Sequence, residues 1–278
     1  MHPDSDLRPL LKARYGQPSA FPLPDPANGV LQSLLEHRSV RAFRPAPLPP
    51  GTLETLVAAA QSAPSSSNLQ VWSLVAVQDP ARKARLAEYC GNQAHVAACP
   101  LFLAWLADLS RLERVARRLN QPSTALDTLE MGLLGVIDAA LAAQNAVVAA
   151  ESLGLGTVYI GGLRNRVPEV ARELELPPHV FPVFGLCVGY PDPAKLPRVK
   201  PRLPQSTVLH RERYRVEEAG EAEAIAAYDS TMSAFYRAAG IRAEGWTPHS
   251  ANRVKGPESL SGRDKLADFF AGQGFPLK

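Results

Sequence analysis

One stretch limits the possible folds more than any other. From about Thr128 to Leu153 the chain can wind as one long helix, and Leu133, Leu134, Ile137, Leu141, Val147 and Val148 fall on several of its faces. A helix that is apolar nearly all round needs cover on every side, from a large core or from another chain. Its many alanines, with Gly132 and Gly135, let other backbones approach closely. Asp138, Gln144, Asn145 and Glu151 interrupt the run, so it does not read as a membrane span. With one kind of chain in hand, a helix-mediated homodimer is the economical expectation.

The 278 residues can bury a sizeable core, and 46% hydrophobic with 21% charged residues is ordinary for a globular protein. A net charge of +3, with no dense Lys/Arg block alternating with aromatics, speaks against nucleic acid as a partner. Cys90, Cys99 and Cys187 are an odd set without a C-x-x-C pair, which disfavours a disulfide framework and a zinc site. A reduced, cytoplasmic compartment fits them. The N-terminus carries Asp4 and Asp6 and no apolar run, unlike a secretory signal. Neither a Walker-type phosphate loop nor a Gly-x-Ser-x-Gly elbow nor a His-x-x-x-His pair occurs, so no metal is expected. Gly154-x-Gly156 follows a helix and precedes a strand. That reverses the order of the dinucleotide fingerprint and disfavours a Rossmann domain.

In chain order, residues 1–26 are rich in proline and read as an extended N-terminal arm; residues 27–278 read as the folded domain. Helices are expected at about 27–37, 53–61, 80–89, 111–119, 128–153, 165–174, 222–239 and 260–270. Apolar runs at 71–77, 100–106, 157–160 and 180–188 predict strands. The arginines of 111–119 read as a wet face, and the segment between the last two helices as a basic, Gly-rich link. Mixed strands and helices around a long helix make a layered α/β or α+β body.

Two stretches carry chemistry. His37-Arg38-Ser39-Val40-Arg41 gathers two guanidiniums, an imidazole and a hydroxyl at a helix end. Such a set suits a phosphate, and equally a solvated basic turn that eases the helix dipole. Ser65-Ser66-Ser67-Asn68-Leu69-Gln70, between a helix and a buried strand, reads as a Ser-rich linker or as a ligand loop. Gly161-Gly162, just past a strand, lets the backbone press against something flat or bulky.

These stretches stand in register with Gly91-Asn92-Gln93-Ala94-His95, with Tyr159-Ile160-Gly161-Gly162-Leu163-Arg164 and with Lys200-Pro201-Arg202-Leu203-Pro204. The order resembles the FMN-dependent nitroreductase family, in its oxygen-insensitive NADPH nitroreductase and flavin reductase branch. The resemblance extends through Ala142-Ala143-Gln144-Asn145 and covers roughly residues 28 to 275. It implies an α+β, three-layer fold with a mixed, mostly antiparallel sheet flanked by helices, in an intertwined homodimer with FMN at the subunit interface. It places His37, Arg38, Ser39, Lys200 and Arg202 on the phosphate and ribityl end of FMN, and Arg41 at the pyrimidine edge. It brings Ser65, Ser66 and Ser67 from the other subunit and Gln93 against the ring. It lays the backbone of Tyr159, Ile160, Gly161 and Gly162 along the flavin. Asn68 is set beside the substrate face; from their basic character alone, Arg164, Arg242, Arg253 and Lys255 are candidates for the 2′-phosphate of NADPH, Arg242 first because it sits in the basic link near Trp246. Asn68 stands where the branch often has an aromatic residue. The implied reaction is ping-pong hydride transfer from NADPH through FMN to nitroaromatics, quinones or free flavin. A flavoenzyme of this fold with another substrate, of dehalogenase or flavin-cleaving type, is the alternative, as is a flavin-binding protein without activity.

Overall fold

The structure, a computed structural model, describes residues 6–18, 21, 28–215, 217–241 and 244–276. In chain order these form α1 (Arg8–Tyr15), α2 (Gly29–Glu36), α3 (Thr52–Gln61), β1 (Trp72–Val77), α4 (Pro80–Tyr89), α5 (Ala94–Ala98), β2 (Leu101–Asp108) and α6 (Ser110–Arg118). Then follow α7 (Leu129–Ser152), β3 (Gly156–Ile160), α8 (Val167–Glu173), β4 (Val180–Gly189), α9 (Glu218–Ala238), α10 (Trp246–Val254) and α11 (Leu266–Gly272). The chain divides into two compact units. The smaller comprises Met1–Arg38 and Pro197–Leu260, the larger Ser39–Leu196 and Ser261–Lys278.

The larger unit is built on a sheet of order β1-β2-β4-β3, in which each named pair is antiparallel. The parallel element expected of a mixed sheet is the bridge between Ser39 and Thr157. Every residue of β2 is buried, because its sequence, apolar from Leu101 to Ala107, has helices over both faces. On one face, Leu56 and Ala60 of α3 and Ala142, Ala146 and Val147 of α7 pack on Leu101, Leu103 and Trp105. On the other, Leu86 of α4, Val96 of α5 and Val170 of α8 pack on Phe102, Ala104 and Leu106. That is the expected three-layer α+β arrangement. A further cluster holds α11 to β4, where Phe270 stacks on Phe181 at 3.7 Å between ring centroids.

The long helix starts where Thr128 accepts the Met131 amide hydrogen bond. Its covered face is made of small residues, and a Cβ at Gly135 would stand 2.8 Å from that of Ala107. Its opposite face is not covered by the described residues. Leu129, Leu133, Ile137 and Leu141 recur every four residues and are 50%, 50%, 53% and 41% exposed. Only part of the expected cover therefore comes from the described residues of the chain itself. By length and composition α7 is long and apolar enough to cross a membrane; its buried side lies on the sheet and includes Asp138.

The smaller unit has its own core of Tyr228, Met232 and Tyr236, joined by Leu203, Phe235 and Trp246. It corrects two sequence expectations. Residues 8–15 form a helix where an extended arm is expected: Pro9 lies in the first turn, where a missing amide costs nothing, and Gly16 (φ 76°) closes the end. Leu7, Leu11 and Arg14 form its buried face. The basic link contains α10, whose first amides are capped from a distance. Asp229 of α9 accepts from the Thr247 amide at 2.6 Å.

Candidate functional site

In the smaller unit α1 organises the basic segments. Asn28 caps α2 by accepting from the Val30 and Leu31 amides, which sets the helix that ends at His37. Arg38 then turns back, its Nε donating to Glu36 O at 3.0 Å. Arg14 donates to His37 O at 3.1 Å and to Lys200 O at 2.8 Å, so the His37 and Lys200 segments meet at one guanidinium. The Lys200 ammonium lies 5.9 Å from the Tyr236 ring centroid, and Tyr228 donates to Pro201 O.

In the larger unit Ser39 enters as a bridge to Thr157, and Val40 donates to Thr157 O at 2.8 Å. Gly156 makes room for Val40, whose Cγ2 would stand 2.7 Å from a Cβ there. This seats the segment beside β3 and leaves the Arg41 side chain exposed. Burial, and then the charge of Arg41, hold the His95 imidazole below its ordinary pKa. Its buried Nε2 has no hydrogen-bond partner among the described residues.

β3 ends in the Gly161-Gly162 turn. A Cβ at Gly162 would stand 2.5 Å from Cys90 O and 2.6 Å from Gln93 Nε2, so only glycine fits. Gln93 is itself fixed, its Nε2 donating to Cys90 O at 2.8 Å. At Gly161 a Cβ would meet only Arg164 Nη2 at 3.6 Å and Arg263 Nη1 at 3.7 Å. That opening is bordered by two like charges. Arg164 also donates to Val183 O, and burial together with Arg263 depresses its pKa. Ile160 is buried, so it can present only backbone, while the Tyr159 hydroxyl donates to Gln144 Oε1 at 3.3 Å.

The serine loop is strained and tied. Ser67, Asn68 and Gln70 have φ of 49°, 55° and 51°, in the left-handed region. The Ser65 hydroxyl donates to Asp138 Oδ2 at 2.7 Å and accepts from the Gln70 amide at 2.8 Å. The same carboxylate oxygen accepts from the Val71 amide at 3.2 Å. Arg111 of α6 holds the outside, donating to Gln70 O at 2.7 Å and Ser73 Oγ at 2.9 Å. Its guanidinium is thus not simply part of a wet face. Ser66, Ser67 and Asn68 remain exposed.

The chain has known relatives. The sequence model of the nitroreductase family matches residues 34–190, and that of the nitroreductase family, C-terminal domain, matches residues 200–278. The chain belongs to the nitroreductase family. An FMN reductase (NADPH) of Bacillus subtilis is 39% identical over 251 residues, which are 89% of this chain and 98% of that protein. The oxygen-insensitive NADPH nitroreductase of Salmonella typhimurium is 40% identical over 221 residues, 79% of this chain and 88% of that one. Among solved structures, NADPH:FMN oxidoreductase from Vibrio harveyi complexed with NAD+ superposes with a TM-score of 0.78 at 35% identity, covering 89% of this chain and 98% of that one.

Three residues that hold these segments are ones the sequence patterns do not single out. Arg263 comes to Gly161 from 102 positions along the chain, Asp138 carries the serine loop, and Arg14 joins the basic segments. The Ser65 hydroxyl is used on both sides within the fold. Arg242 lies outside the described residues.

Proposed function

We propose that this chain is an FMN-dependent NADPH oxidoreductase that works by ping-pong exchange on small electron-poor acceptors: nitroaromatics, quinones or free flavin. The observation that carries the reading is the Gly161-Gly162 turn, backed by Gln93 and opened to one side between Arg164 and Arg263. A flat ring fits where no Cβ stands, and the guanidinium, ammonium and hydroxyl set suits its dianionic phosphate. His37, Arg38, Ser39, Lys200 and Arg202 hold the phosphate and ribityl end. Arg41 lies at the pyrimidine edge, where a cation favours the reduced, anionic ring. Gln93 and the backbone from Tyr159 to Gly162 border the ring. When bound, FMN supplies hydride exchange between NADPH and the acceptor.

The residues position and screen; none is assigned as an acid or base, since solvent reaches an open site. Arg164 and Arg263 border the opening at Gly161 with like charge, which suits an anionic group of co-substrate or acceptor there. Asn68, small and exposed, leaves the acceptor side roomy. Arg242 is kept as the partner of the 2′-phosphate, and an unchanged NADPH/NADH preference in Arg242→Ala would remove it. The enzyme is a cytoplasmic homodimer, joined through the uncovered stripe of α7, with Ser66 and Ser67 reaching the partner's flavin. Steady-state assays with nitrofurans, quinones, free flavin and halophenols test the reaction. Turnover of halophenols alone would overturn it.

A further inference from the structure

α1 lies outside the residues matched by either family model, yet it touches the main chain of both basic segments. Arg14 is 8% exposed. Its Nη1 donates to Lys200 O at 2.8 Å, and its Nη2 donates to Leu35 O at 2.8 Å and His37 O at 3.1 Å. The contact is returned, because the Arg202 amide donates to Arg14 O at 2.8 Å. Every one of these acceptors is a carbonyl. What Arg14 fixes is therefore the backbone from which His37, Arg38, Lys200 and Arg202 project. A planar fork of donors spreads over carbonyls of two segments at once and holds them in a fixed geometry, which a compact, freely rotating ammonium does less well. α1 itself is anchored apart from this contact. Leu7 and Leu11 are buried, Gly16 packs against Thr231, and Gln205 Nε2 donates to the Tyr15 hydroxyl.

We propose that Arg14 is a positioning residue for the phosphate of FMN, which rests on the assignment of His37, Arg38, Lys200 and Arg202 to that group. Two cationic segments distant in sequence repel each other and would otherwise have to be ordered when the phosphate binds. Arg14 orders them beforehand, so less of the binding energy is lost to ordering. The effect belongs to the phosphate end and leaves the ring contacts alone.

FMN and riboflavin differ only in that phosphate, so their ratio reads the clamp. Full-length apoprotein of wild type, Arg14→Met and Arg14→Lys is titrated with each flavin by fluorescence, and exchange of the Arg202 amide is followed in the same samples. In Arg14→Met, Kd for FMN is expected to rise on the order of ten- to a hundredfold, while that for riboflavin stays within about twofold. The Arg202 amide exchanges faster by on the order of tenfold. Arg14→Lys keeps the charge and still falls nearer to Arg14→Met than to wild type. Equal weakening of both flavins, or an unchanged ratio, overturns the clamp. Where Arg14→Met does not fold, Arg14→Lys decides alone, and a wild-type ratio there is the contrary result. A wild type with no preference for FMN over riboflavin overturns instead the assignment on which the clamp rests.

Discussion

At Gly161 and Gly162 the backbone turns where no side chain is present; from Ser65 to Gln70 it turns where every residue has one. The first shape is set by exclusion, since Cys90 O and Gln93 Nε2 stand where a Cβ at Gly162 would be. The second is set by hydrogen bonds that hold three left-handed, non-glycine residues between Asp138 and Arg111. Exclusion fixes a surface without leaving groups to adjust. A side-chain network keeps exposed hydroxyls at the same place and can be weakened one bond at a time.

The largest expected effect separates the two regions by protomer. Ile137→Lys puts a charge in the uncovered stripe of α7 and is expected to yield a monomer by light scattering. If the serine loop serves the partner's flavin, FMN affinity falls by roughly a hundredfold or more, with the glycine turn intact. Next is Gly162→Ala, expected to cost about 1–3 kcal/mol in thermal or urea unfolding and to weaken FMN by roughly tenfold. Asp138→Ala leaves the Ser65 hydroxyl and the Val71 amide without their acceptor, at about 1–3 kcal/mol, with faster amide exchange confined to residues 65–71. Arg111→Ala removes only the outer tie of a half-exposed guanidinium, about 0.5–1 kcal/mol by the same unfolding measurement.

The smallest effect is one of pH. His95 is held below 6.5 in the fold by burial and by Arg41, so between its folded value and 6.5 the unfolded chain binds the extra proton. Stability is therefore full above 6.5 and falls as pH drops through that window. His95→Asn flattens this slope in melts at about pH 7.5 and about pH 5.5. An equal slope in the variant would place the proton uptake elsewhere.

What the sequence makes legible is what is local. The four apolar runs become four strands, and the proline and glycine boundaries fall near the observed ends. The glycine pair and the basic segments are visible because their residue types alone imply close approach and anion binding. Distant partners are not. Arg14 meets Lys200 across 186 positions, and its own helix hides in a proline-rich segment. Asp138 reads as an interruption of an apolar helix; only the folded chain shows a buried carboxylate under Ser65 and Val71. α10 escapes because its cap comes from Asp229 on another helix, and α5 because five residues are too short for periodicity. Arg263 stands alone in sequence and acquires meaning only beside Gly161.

One measurement bears on all of this most directly: the visible spectrum of the purified protein, taken anaerobically before and after one equivalent of NADPH. A yellow protein whose flavin band is bleached by NADPH, and restored by a nitroaromatic or a quinone, is the expected result. A protein that stays colourless after incubation with FMN, or one whose colour NADPH leaves untouched, would contradict it.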